Sequence, residues 1–292
     1  MAGWAVSLRH RSWSRVVSGG FDDPDNAEIV ELAVFGGQIY AATWSYSESK
    51  GTEIWRSPTG DNGDWNIVVD NGFGNSDNIG IPSLTEYNSY LFAGVGNTTD
   101  GGGVMRSATG APGDWNPVST PGFGDAGNTY VSVLAPFNGK LYAATHHTEG
   151  SGAEVWRCSL CDGTDWEQVI DNGLGNSDSR LMPGFEVFDD RLYLAVGNLV
   201  DGMQVWQTNE GDNWYPIAME GFYDSDNWSA LWDYSLVEYE GHLYLGTWNP
   251  ANGGEIWRRM SFGAVLDPTA DAKQGHPGET VDYLCFVPDG EP

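Results

Sequence analysis

Residues Gly122–Arg157 read GFGDAGNTYVSVLAPFNGKLYAATHHTEGSGAEVWR, and looser copies of this stretch occur four more times in the chain. Gly-Phe or Gly-Leu pairs begin at Gly20, Gly72, Gly122, Gly173 and Gly221, spaced 52, 50, 51 and 48 residues apart. Each opens a loop rich in Asp, Asn, Gly and Ser that ends at Asn26, Asn78, Asn128, Ser179 or Asn227. About twenty residues on comes a short apolar run whose aromatic is Tyr40, Phe92, Tyr142, Tyr193 or Tyr244. A second run ends at Trp55, Met105, Trp156, Trp206 or Trp257, and after a polar turn a third begins at Trp65, Trp115, Trp166 or Trp214. Each of those last four Trp precedes the next Gly by seven residues.

Four alternating apolar runs per ~50 residues, punctuated by Gly, Asn and Asp, make one antiparallel blade. The fifth copy lacks its fourth run after Trp257. Trp13–Val17 (WSRVV) supplies one, since Trp13 also stands seven residues before Gly20. The expectation is therefore an all-β, five-bladed β-propeller with four antiparallel strands per blade, the N-terminal strand completing blade 5 and closing the ring. Residues 1–12 are a lead-in, 13–262 the propeller and 263–292 a C-terminal tail.

The turn Gln207–Trp214 (QTNEGDNW) resembles an Asp-box hairpin, with Gln207 and Asn209 in place of its Ser and Asp. With the GFG loop and the LYAAT and EVWRS strands, residues 13–262 resemble Asp-box-type five-bladed propellers of bacterial secreted and cell-surface proteins. The resemblance implies a secreted or surface setting and gives the Asp box a folding role. In the tail, PGETVDY resembles the opening of an immunoglobulin-like module. It is too short to bury a sandwich core, so the expectation is a monomeric propeller within a longer chain.

Composition narrows the partners. With 13 Lys plus Arg against 41 Asp plus Glu, the net charge of -28 repels phosphate and excludes nucleic acid. No run approaches the ~20 apolar residues of a membrane span. Cys158 and Cys161 form a C-x-x-C in a turn with no second pair to complete a zinc site. A local bond and two idle thiols both fit, and a bond implies an oxidising compartment.

Nine of the 14 Trp recur at two repeat positions, which marks them as packing. Trp44, Trp228, Trp232 and Trp248 break the pattern. Trp44 and Trp248 hold one position in repeats 1 and 5, so all four are expected on one face around a cleft between those repeats. Indoles beside amides and carboxylates suit sugars. Asn249, Ser45, Asp226 and Asn227 are the polar candidates there, with Asn97, His147 and Asn198 at repeat-equivalent positions elsewhere. Rings that merely pack under loops fit the same pattern. The Asp/Asn loops match either Ca2+ sites or Asx-turns, and their varying charge favours turns. No other cofactor is implied.

Catalysis finds little support. No GxSxG or HExxH occurs, and Glu28, Glu31, Glu86, Glu186, Asp233 and Glu238 fall at different offsets from the repeat aromatic. Glu31 and Glu186 come nearest to a pair. The expectation is a non-enzymatic module that binds a glycan or surface polymer. A structural or adhesive propeller with protein partners is the alternative, and a glycoside-hydrolase-like enzyme the second.

Overall fold

The computed structural model describes residues 14–47, 49–148, 150–228 and 236–260. Trp13, Trp232, Asp233, the lead-in and the tail with its immunoglobulin-like stretch lie outside the described residues.

The chain is all β and folds as a β-propeller. Repeat 1 contributes β1 (Asn26–Phe35), β2 (Gln38–Ser45), β3 (Ile54–Ser57) and β4 (Asn66–Val69). Repeat 2 follows with β5 (Asn78–Tyr87), β6 (Tyr90–Asn97), β7 (Gly103–Ser107) and β8 (Asn116–Pro117). Repeat 3 holds β9 (Asn128–Phe137), β10 (Lys140–His147), β11 (Val155–Cys158) and β12 (Glu167–Ile170). Repeat 4 holds β13 (Ser179–Phe188), β14 (Arg191–Asn198), β15 (Gln204–Thr208) and β16 (Tyr215–Ala218). In repeat 5 the described strands are β17 (Leu236–Tyr239), β18 (His242–Gly246) and β19 (Ile256–Met260).

Strands within a repeat pair antiparallel in chain order. The first two join through two-residue turns with both φ positive, such as Gly36-Gly37 (57° and 74°) and Asn138-Gly139 (46° and 69°). That geometry matches strand twist, which is why Gly, Asn and Asp recur there. The first strands β1, β5, β9, β13 and β17 lie side by side as the innermost layer. Successive repeats touch through single backbone pairs: Trp44 opposite Gly80, Gly96 opposite Tyr130, and His146 opposite Leu181.

The core is four clusters, each between neighbouring repeats. Tyr40, Phe92, Tyr142 and Tyr193 are fully buried there. The innermost strands meet this pattern at matching positions: Leu84, Leu134, Phe185 and Leu236 are 5–7% exposed, but Leu32 of β1 is 58% exposed. Among the described residues no repeat covers Leu32 and Ile29, which are both exposed. The strand expected to close the ring is not formed in the described residues: residues 14–18 carry no strand, and β19 pairs with β18 alone. Ile256 on its open side is 81% exposed, whereas Ile54 in repeat 1 is fully buried.

Candidate functional site

The inter-repeat pairs build the most site-like feature of the inner layer. Gly80 lies opposite Trp44 because a Cβ there would come within 2.4 Å of the indole Cε3. Gly96 makes the same room for the Tyr130 ring. The two rings meet at 5.4 Å, and Tyr130 stacks on His146 at 5.3 Å on its other side. Trp44 of repeat 1 with Tyr130 and His146 of repeat 3 thus forms an aromatic row.

One end of this row lines a cavity of about 250 Å³ with Glu28, Val30, Tyr46 and Pro82. Glu28 is the third residue of β1 and is exposed. The Tyr46 hydroxyl donates to Glu28 Oε1 at 2.7 Å, which orients the carboxylate. That carboxylate in turn holds the Tyr46 phenol above its usual range, assisted by burial. The volume falls just below that of pockets for drug-sized ligands, so it suits one small polar ring.

The sequence-predicted residues divide. Trp44 lines this cavity although only 7% exposed. Trp228 and Trp248 form their own backbone pair, with rings edge to face at 5.3 Å. Neither lines the cavity of Trp44, and Trp232 lies outside the described residues.

The polar candidates are turn-formers. Asn97 Oδ1 accepts the Thr99 and Asp100 amides at 2.9 and 2.8 Å, and its Nδ2 donates to Asn78. Asn198 accepts from Val200 and Asp201, and Asn249 from Ala251 and Asn252. Ser45 Oγ donates to the Lys50 carbonyl and accepts the Ser47 amide. Buried His147 reaches Asp125 at 3.4 Å. All five are buried, and the oxygens of Ser45, Asn97, Asn198 and Asn249 shape the turn after the second strand, whereas His147 reaches back to the Asp125 loop.

The Asp/Asn loops form Asx-turns. Asp23, Asn75, Asp125, Asn176 and Asp224 each accept the amide two residues on, at 2.8–3.1 Å. Among the described residues, no group of three or more His, Cys, Asp or Glu is placed to hold a metal ion. Cys158 and Cys161 are joined by a disulfide. Of the six inner-strand carboxylates, Glu28 alone lines the cavity, and Asp233 lies outside the described residues. Glu186 is half-buried, and burial raises its pKa against the partial help of the Glu238 amide. Tyr46, Tyr130 and Glu28 were not singled out as a site by sequence reasoning. The glycines opposite Trp44 and Tyr130 are the signal that could have found the rings.

No protein-family model matches the chain, and no curated protein matches it. Solved structures similar to it include an exo-β-1,3-galactanase from Phanerochaete chrysosporium (10% identity, TM-score 0.48), 78% of this chain matching 58% of that one. A thermostable family-43 glycoside hydrolase matches at 10% identity and TM-score 0.45, over 86% of this chain and 95% of that one. A Bacillus subtilis arabinanase matches at 14% identity and TM-score 0.44, over 78% and 91%. The chain thus spans just over half the length of the galactanase. At these identities no residue role is carried across. The non-enzymatic expectation is corrected by these neighbours, which are glycoside hydrolases, and it is not carried further.

Proposed function

We propose that the protein acts on carbohydrate as a glycoside-hydrolase-like β-propeller, seating one sugar ring in the cavity of Glu28, Trp44, Tyr46 and Tyr130. The single observation that carries this reading is the cavity's chemistry: two aromatic rings beside an exposed carboxylate oriented by a phenol. Indole and phenol faces stack on sugar C–H groups, and a carboxylate can bond hydroxyls or serve a glycosidic oxygen. Hydrolysis pairs two carboxyls about 5–10 Å apart. Glu186 is not that partner, because it is the eighth residue of its inner strand and Glu28 the third of its own. Five positions span roughly 16 Å along a strand.

The finer fold reading belongs to the same proposal: five blades, closed by the N-terminal strand. Val69 pairs with Ile54, Ile170 with Val155 and Ala218 with Val205, each three residues before the next loop glycine. Val17 stands three before Gly20, so the register puts Val17 opposite Ile256. The same step sets Trp248 against Glu28, as Trp44 stands against Gly80, and adds a third ring to the cavity. The outer turn, where Thr208 Oγ1 accepts the Gly211 amide, supports the Asp-box likeness. The Cys158–Cys161 bond supports a secreted or surface setting.

The test is sugar release and binding across a panel of neutral oligosaccharides with wild type, Glu28→Gln and Trp44→Ala. Glu28→Gln should lower turnover by roughly 100-fold or more with binding largely kept. Trp44→Ala should weaken binding by roughly tenfold. Wild type that neither binds nor cleaves any glycan would sink the reading, as would variants indistinguishable from it.

A further inference from the structure

Two departures from the repeat pattern lie at one groove. The fourth residue of the one-turn loop is Asp22, Gly74, Gly124, Gly175 and Tyr223 in the five repeats. All five have positive φ, from 65° to 101°. Glycine adopts this conformation freely, whereas a tyrosine there is strained. No packing offsets that strain, because Tyr223 is 95% exposed.

The second departure concerns the ring laid on the following tryptophan. Phe21 stacks on Trp55 at 4.5 Å, Phe123 on Trp156 at 4.9 Å and Phe222 on Trp257 at 4.5 Å. On Trp206 the ring is replaced by Leu174. The smaller side chain leaves Trp206 bordering two cavities, of about 730 and 380 Å³, which share Leu174, Gly175 and Trp206. Tyr223 lines the larger and Tyr215 the smaller. Trp206 Nε1 is already committed to Gln204 Oε1 at 2.8 Å, so the indole offers its face. Polar atoms flank the groove: Asn176, which donates to Asp201 at 3.0 Å, and Glu220.

We propose that this groove is a second carbohydrate site, separate from the Glu28 cavity, that holds a linear neutral polysaccharide stacked along Tyr223, Trp206 and Tyr215. It rests on the carbohydrate reading above but uses none of the same residues. The groove is open and longer than one ring, which fits a chain. Asp201, Glu220 and Asp171 line it, so acidic glycans are disfavoured by like charge.

Affinity electrophoresis of the whole chain through gels holding soluble xylan, glucomannan or β-glucan tests the site, with thermal melting alongside. Tyr223→Gly restores the residue found in repeats 2, 3 and 4, and Leu174→Phe restores the ring stack. Tyr223→Gly should raise the melting temperature by about 1–4 °C, as strain is relieved. Both variants should weaken polysaccharide retardation at least tenfold and leave sugar release from short oligosaccharides within twofold of wild type. Retardation by Tyr223→Gly equal to wild type would overturn the proposal, and so would a wild type retarded by none of the gels. Loss of retardation in Trp44→Ala alone would place all binding at the cavity and also overturn it. Failure of the cavity reading shows separately, as unchanged sugar release in Glu28→Gln.

Discussion

His146 lies against Tyr130 with rings 5.3 Å apart. Burial, joined by the nearby charges of Arg180 and His147, pulls its pKa down from 6.5 to about 4. The unfolded chain therefore takes up this proton before the folded one does. The stabilising contribution is whole above about pH 6.5 and is lost as pH falls to about 4. His146→Phe keeps the stack and removes the titration. The unfolding free energy of wild type from urea titrations should fall across that window by on the order of 1–3 kcal/mol more than that of the variant. Parallel profiles would refute this account. Residues of this kind were partly legible. Recurrence at two repeat positions marked nine Trp as scaffold, and the same rule assigns Ser45, Asn97, Asn198 and Asn249 to turns. Glu28 and Tyr46 gave no such signal, because their meeting depends on how β1 and the end of β2 are registered.

A latch recurs at the level of the loop and strand. Asn128 Nδ2 donates to the Gly122 carbonyl at 3.0 Å and to Glu154 Oε2 at 2.7 Å, and the Trp156 indole donates to the same carboxylate. Asn26 with Glu53 and Trp55, and Asn227 with Glu255 and Trp257, repeat it. Repeat 2 has Gly103 and Met105 where the others have Glu or Gln and Trp, so the carboxylate is absent together with the indole it would bond. Asn128→Ala removes the donor that ties loop to strand and leaves Glu154 without one of its bonds. Urea unfolding should show a loss of about 2–4 kcal/mol, and a loss below about 0.5 kcal/mol would refute the latch. Most elements were readable in advance, because two-residue Gly/Asn turns and alternating runs specify hairpins locally. The Asp/Asn loops were readable only as a choice between calcium and Asx-turns, since both use the same oxygens. The observed amide bonds decide their turn geometry.

At the scale of the whole molecule, four interfaces between repeats are packed and a fifth is open on both sides. Among the described residues, Leu32 and Ile29 are bare on one side, and Ile256 and Val237 on the other. Covering a side chain such as Leu32 contributes about 1.5–3 kcal/mol, so these faces favour meeting. Val17→Cys with Ile256→Cys tests the proposed register. Mild oxidation should give a cross-link within one chain and a higher melting temperature. Cross-links solely between chains would refute the ring. The repeat architecture was legible because each copy is a rehearsal of the next within the same sequence. The substrate side was not, since a carboxylate's role depends on distances across repeats that no spacing encodes. The seam also bears on how molecules meet one another. The edge of β19 and the stretch before Gly20 are different surfaces, so pairing them between two chains leaves one of each unsatisfied at the ends. Such a contact does not close upon itself, and conditions that loosen the seam would string molecules head to tail into filaments.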